Sequence, residues 1–255
     1  MLSLLTTLHI HNSMLKGKGM RNIILILLAA YCMSSTQAGV SIDGTRIIFP
    51  EGSTSVGVQL RNEFDTPALV QTWIDNGNMN EIPSAEDILF VLTPPLSRVE
   101  SRQGQVIRII STDISKLPKD RESLFWFNML DIPPENPNLA GQNLLSFTVR
   151  TRIKLFYRPN TLKITVSEAF NRIKFNYLDG EKIIELNNPT PYYITVVSLN
   201  FKNSVKETDY KKSLMIPPFT SQKITEYKLE TKPNIINYSF INDLGGVQSI
   251  SKNID

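Results

Sequence analysis

From Gly39 onward the chain is written in short runs of β-branched and aromatic residues broken by Gly, Asn, Asp and Pro, and that rhythm confines it to all-β architectures. Val40-Ser41-Ile42, Ser55 to Leu60 and Ala68 to Ile74 open the series, and the cluster Asp75-Asn76-Gly77-Asn78 closes the third run. Ile88 to Leu92, Val106 to Ile110, Leu124 to Leu130 and Leu144 to Tyr157 continue it, and only Ile114 to Lys116 suggests a helical turn. Six or seven strands at even spacing in about 120 residues predict a β-sandwich.

Arg158-Pro159-Asn160 then interrupts the longest run, and a second strand series starts at Leu162. It takes in Arg172 to Tyr177, Lys182 to Leu186, Tyr192 to Leu199, Gln222 to Tyr227 and Ile235 to Ile241, punctuated by Asp179-Gly180 and Asn187-Asn188-Pro189. The prediction is two all-β domains, residues 39–158 and 162–255. So short a joint is no flexible tether, and it implies a fixed angle with a cleft between the domains.

The first 38 positions read differently. Lys16, Lys18 and Arg21 precede the apolar run Ile23 to Ala30, and small or polar residues lead to Ala38 before Gly39. This is the layout of a secretory signal peptide cut after Ala38, with Met14 and Met20 as alternative starts. The run falls short of the ~20 apolar residues that span a bilayer. These positions hold His9, His11 and Cys32, the only histidines and cysteine in the 255 residues. They also hold three of the 27 Lys and Arg and none of the 24 Asp and Glu. Removing them leaves 217 residues with 24 cations, 24 anions, no histidine and no cysteine. That excludes disulfides, Cys/His zinc sites, Ser–His–Asp and Cys–His catalysis, and thiol redox chemistry. The expectation is an exported, non-enzymatic protein with no metal, no cofactor and no membrane insertion.

Leu144 to Tyr157 is the most informative run. At about 3.3 Å per residue it would extend over 40 Å, well beyond a usual strand. Leu145, Phe147, Val149 and Ile153 fall on one face, and Ser146, Thr148, Arg150, Arg152 and Lys154 on the other. The ordinary reading of such a row is that it faces the domain's own core. A long apolar edge strand is otherwise an aggregation hazard, kept where it is meant to pair with a partner.

At this point the residues resemble a known family. Arg152-Ile153-Lys154-Leu155-Phe156-Tyr157-Arg158-Pro159 is similar to the signature of periplasmic pilus chaperones of the chaperone–usher pathway. In the first domain the same family pattern is matched by Val40 to Arg46, Thr93-Pro94-Pro95 with Arg98, Gly104-Gln105 with Arg108-Ile109, and Asn128 with Ile132-Pro133-Pro134. In the second it is matched by Asn188 to Tyr193, Met215 to Phe219 and Ile241 to Gly246.

The resemblance implies two immunoglobulin-like sandwiches at roughly a right angle, making a boomerang. It implies that Arg46 and Lys154 anchor the C-terminal carboxylate of a pilus subunit. Leu145, Phe147 and Val149, with Ile153 in the same row, would be donated to the groove where the subunit lacks its own last strand. Arg158 and Asp243 would form an interdomain ion pair, with Asp131 as third member. A cis bond is implied at Pro94-Pro95. The partners implied are pilus subunits, bound one to one, and an outer-membrane usher. The free protein could also cap its apolar strand by pairing with a second copy. With no cysteine after Cys32 and a short Glu135 to Asn143 loop, the chain is similar to the short-loop branch of the family.

Two other classes compete. A pilus subunit shares the alternating strands and the export signal, but two full strand series and the Arg46/Lys154 pair speak against it. An exported enzyme would need a framed nucleophile or paired carboxylates, and Glu86-Asp87 is a loop pair pointing apart. A balanced charge argues against nucleic acid.

Overall fold

A computed structural model describes residues 39–79, 89–132, 147–204 and 206–254. The first 38 residues, Leu145 and the Glu135 to Asn143 loop lie outside them.

The first half of the fold is nine strands: β1 (Val40–Ile42), β2 (Arg46–Pro50), β3 (Ser55–Asn62), β4 (Ala68–Asp75), β5 (Phe90–Thr93), β6 (Leu96–Val99), β7 (Gly104–Ser111), β8 (Ser123–Ile132) and β9 (Val149–Arg158). They form two sheets, ordered β1-β3-β7-β5 and β2-β9-β8-β4-β6. The pleat alternates as the sequence predicts: Val58 and Leu60 in β3, Ile107 and Ile109 in β7, and Phe127 and Met129 in β8 all turn inward. The two inner faces meet in one core with Phe49, Leu155 and Tyr157 fully buried. Ile114 to Lys116 is a 3-10 turn whose start is capped by Asp113. The cis peptide of the Pro94-Pro95 turn is the Thr93–Pro94 bond.

The second half holds the helix α1 (Val166–Asn171) and eight strands: β10 (Lys174–Leu178), β11 (Ile183–Asn188), β12 (Ile194–Lys202), β13 (Glu207–Tyr210), β14 (Leu214–Ile216), β15 (Thr220–Ile224), β16 (Ile235–Ile241) and β17 (Val247–Asn253). One sheet runs β10-β11-β15 and the other β13-β12-β16-β17, with β14 also on β12. Their shared core includes Ile173, Leu186, Ile194, Val196, Ile216 and Ile236. The chain is therefore all-β in two sandwich domains, each with its own core.

One local expectation fails here. The second series does not open with a strand at Leu162: residues 166–171 are helical. Thr165 accepts the Glu168 N–H while the Glu168 carboxylate accepts the Thr165 N–H, a reciprocal cap that makes a single turn and a half viable. Ala169 and Phe170 then seal the end of the second core.

Candidate functional site

The site is set by how β2 joins the sheet. Asp43-Gly44-Thr45 carries the chain from one sheet to the other, with Gly44 at φ 102°, a conformation that favours glycine. β2 then runs parallel to β9, so Arg46 lies opposite Lys154 and Pro50 opposite Arg158. Ile47 and Phe49 of β2 and Ile153, Leu155 and Tyr157 of β9 point into the core. Alternation therefore turns Arg46 and Lys154 together to the other face. That face is closed by the second domain: Phe156 is buried there, with its ring centroid 5.6 Å from that of Tyr193.

Arg46 donates through Nη1 to the Ile241 carbonyl at 3.1 Å and stands 5.9 Å from the centre of the Phe156 ring. Its Nε is buried without a hydrogen-bond partner. Lys154 Nζ hydrogen-bonds, among the described residues, only the Thr195 hydroxyl, at 3.3 Å, with the Trp126 ring 6.0 Å away. Among the described residues no carboxylate forms an ion pair with either cation. Burial, and then the neighbouring Arg46 charge, pushes the Lys154 ammonium down to about 8. Burial also lowers Arg46, although Asp243 and Glu122 oppose the change. Two half-desolvated cations facing one space, with spare donors, form a receptor for an anion.

The neighbouring cations of the same face differ in having carboxylate partners, although the Arg152 Nε is also buried without a hydrogen bond. Arg152 and Arg150 both pair with Asp75, a buried carboxylate that also accepts the Asn128 amide at 2.8 Å. Arg152 lies 4.3 Å from the Trp126 ring centre and Arg150 4.9 Å from that of Trp73. Arg158 binds Asp243 with two parallel bonds of 2.7 and 2.9 Å, and its Nε donates to Glu122 at 2.8 Å. Burial opposes its charge, but the bonds to Asp243 and Glu122 and their charges raise its pKa overall.

This network corrects the third member. Asp131 takes no part in it; Glu122 does. β8 separates the two carboxylates by nine residues, about 30 Å of extended chain, so Asp131 cannot reach Arg158. Glu122 sits where the first domain meets the Asn188-to-Tyr193 turn. Its N–H donates to the Pro191 carbonyl at 2.9 Å, and its Oε2 accepts the Tyr193 N–H at 2.9 Å. Nothing in the local pattern around Glu122 signals this; its partners Arg158, Pro191 and Tyr193 come from 36 to 71 positions away.

The apolar row of β9 divides in two. Ile153 is 9% exposed and belongs to the first core, so it is not available for donation. Val149 and Phe147, on the same face, are 57% and 72% exposed. Leu145, the next in the row, lies outside the described residues. The edge of β9 divides at the same place. β8 pairs with it from Val149 to Tyr157, but β2 joins on the other side only from Lys154. From Val149 to Ile153, among the described residues, no strand occupies that second side. The open edge ends at Arg46 and Lys154.

Two family models match the chain: "Pili and flagellar-assembly chaperone, PapD N-terminal domain" over residues 39–163 and "Pili assembly chaperone PapD, C-terminal domain" over residues 168–252. Among curated relatives, "Probable fimbrial chaperone YadV" of Escherichia coli (strain K12) is 41% identical over 221 residues, covering 84% of this chain and 89% of the relative. "Chaperone protein HifB" of Haemophilus influenzae is 40% identical over 227 residues, covering 88% and 91%. Among solved structures, the YadV chaperone matches with a TM-score of 0.71 at 36% identity, over 85% of this chain and all of that one. The CupB2 chaperone of Pseudomonas aeruginosa matches with a TM-score of 0.70 at 32% identity, over 84% and 100%.

Proposed function

We propose, from the premise that this chain belongs to the PapD family of pilus-assembly chaperones, that it captures newly exported pilus subunits in the periplasm, one to one, by lending them a strand. The observation that carries this reading is a coincidence of three features. β9 has an unpaired edge from Val149 to Ile153 among the described residues, Val149 and the preceding Phe147 are uncovered, and the edge runs into two cations without a carboxylate. A subunit strand adds along that edge through backbone hydrogen bonds. Leu145, Phe147 and Val149 enter the subunit's open groove, and the subunit's terminal carboxylate meets Arg46 and Lys154.

Magnitudes assign the parts. Burying each apolar side chain is worth about 1.5–3 kcal/mol, so the donated row supplies most of the affinity. A charge-assisted bond at the end contributes about 1.5–3 kcal/mol and, more importantly, fixes the register. A slip of one residue would turn every donated side chain to the wrong face. Covering the groove keeps the subunit from polymerising until an outer-membrane usher receives it and another subunit's strand takes the place of β9. No covalent step or cofactor is required. We assign the chain to the short-loop branch, with residues 1–38 as a signal peptide removed after Ala38, and two free copies capping each other's β9 edge.

Co-expression with its pilus subunit tests the reading. Wild type should yield a soluble one-to-one complex, and Phe147→Asp should abolish it while the free protein keeps its unfolding midpoint. Recovery of the complex at wild-type yield with Phe147→Asp would show that β9 is not the donated strand.

A further inference from the structure

Asp131, which stands apart from the Arg158 network, has only half of its bonding accounted for. It points into the first domain on the same face of β8 as Phe127 and Met129 and is 5% exposed. Its Oδ2 accepts the Val40 N–H at 3.0 Å, but its Oδ1 is buried with no hydrogen-bond partner among the described residues. A buried carboxylate oxygen is normally met by a cation or by several N–H donors, because leaving it bare is costly. No described Lys or Arg side chain meets this one.

The nearest backbone on the other side of Val40 is Gly39. A β-carbon placed on Gly39 would fall 2.6 Å from Asp131 Oδ2 and 3.5 Å from the Phe64 ring, so no side chain fits there. The α-nitrogen is two bonds from that position and therefore within about 5 Å of the carboxylate. As an internal amide this nitrogen offers one neutral donor. As a chain terminus it offers three donors and a positive charge.

We infer that Asp131 is the receptor for the α-ammonium of Gly39, an ion pair that forms only when residues 1–38 have been removed. The inference rests on the proposed cut after Ala38. The pair gives the first domain a contact that β1 needs: β1 is three residues long and, among the described residues, pairs only with β3. It also sets a brace beside the donated strand, since Asp131 lies opposite Val149 in the β8–β9 register. Processing thus completes the first domain next to the edge it uses.

The test is a cycle on the protein exported and processed in a bacterial periplasm, with intact mass identifying its first residue. Selective transamination converts the Gly39 amine to a neutral carbonyl and spares lysines; wild type and Asp131→Asn are unfolded in urea with and without it. Transamination should raise the unfolding constant of wild type about 10-fold or more, the equivalent of one hydrogen bond to a charged group, and leave Asp131→Asn unchanged. Equal effects on both proteins would overturn the ion pair. Should Asp131→Asn not accumulate, the reactivity of the amine in folded and urea-unfolded wild type decides. Protection of about tenfold supports the pair, and equal rates overturn it. A mass that places the cut elsewhere overturns the processing reading alone. The same cycle on residues 39–255 released by a specific protease then decides the ion pair by itself.

Discussion

Lys154 and Arg158 sit on one face of one strand, four residues apart, and are both half-buried cations where the two domains meet. Arg158 is surrounded by anions, with Asp243 gripping its guanidinium in a fork and Glu122 holding its Nε. Lys154 has a hydroxyl, an aromatic ring and another cation. The difference separates structure from readiness to bind. A partly buried ion pair that is fully hydrogen-bonded holds two elements in register, whereas a partly buried cation lacking its counter-ion is kept at a cost that a ligand can relieve.

Breaking the satisfied member should have the largest effect. Arg158→Ala leaves Glu122, 3% exposed, as an uncompensated buried charge, and should lower unfolding stability by about 3–5 kcal/mol in urea titration. Stability unchanged to within 1 kcal/mol would mean that the network is not holding the domains. The divided apolar row offers the next contrast. Ile153→Ala should cost about 2–4 kcal/mol because it opens a cavity in the first core, while Val149→Ala should cost less than about 0.5 kcal/mol in the free protein and weaken subunit capture instead. Similar losses in the two variants would remove the division between core and donated positions.

The unsatisfied member predicts an unusual sign. Lys154→Met should leave the free protein as stable at pH 7 or stabilise it by up to about 1 kcal/mol after allowance for solvent screening, yet lower subunit affinity at least tenfold. A clear loss of free-protein stability would show that Lys154 is structural. The smallest effect is in pH dependence. The folded pKa of Lys154, about 8, lies below its ordinary 10.5, so between these values the unfolded state holds more protons and stability rises with pH. Urea midpoints measured from pH 8 to 10.5 should show this rise in wild type and lack it in Lys154→Met. A bound carboxylate favours the ammonium, so subunit affinity should fall as pH passes about 8; a flat affinity would exclude a carboxylate on Lys154.

Much of the architecture was legible in one dimension because a strand's period of two maps directly onto burial. The runs Val106 to Ile110, Leu124 to Leu130 and Ile235 to Ile241 all lie within strands, and their own inward residues Ile107, Ile109, Phe127, Met129, Ile236, Tyr238 and Phe240 are the apolar or aromatic ones. Helix α1 was legible in principle, through Thr165 and Glu168 at capping-box spacing, but its flanking apolar residues read equally well as a strand. Arg46 and Lys154 were singled out through family resemblance; no local rule pairs two cations 108 positions apart. That pairing came from the parallel docking of β2 on β9.

The carboxylates mark the boundary most sharply. Glu122 immediately precedes β8 and Asp131 lies near its far end, and both are acids beside an apolar run. Residue order alone determined the strand, the inward and outward faces of β9, and the absence of histidine and cysteine after residue 38. Tertiary structure decided which acid meets Arg158, that Ile153 belongs to the core while Val149 does not, and which cations lack a partner. The physical reason is range. Pleat and capping depend on neighbours a few residues away, whereas charge pairing and edge exposure depend on which distant segment arrives, and at what register.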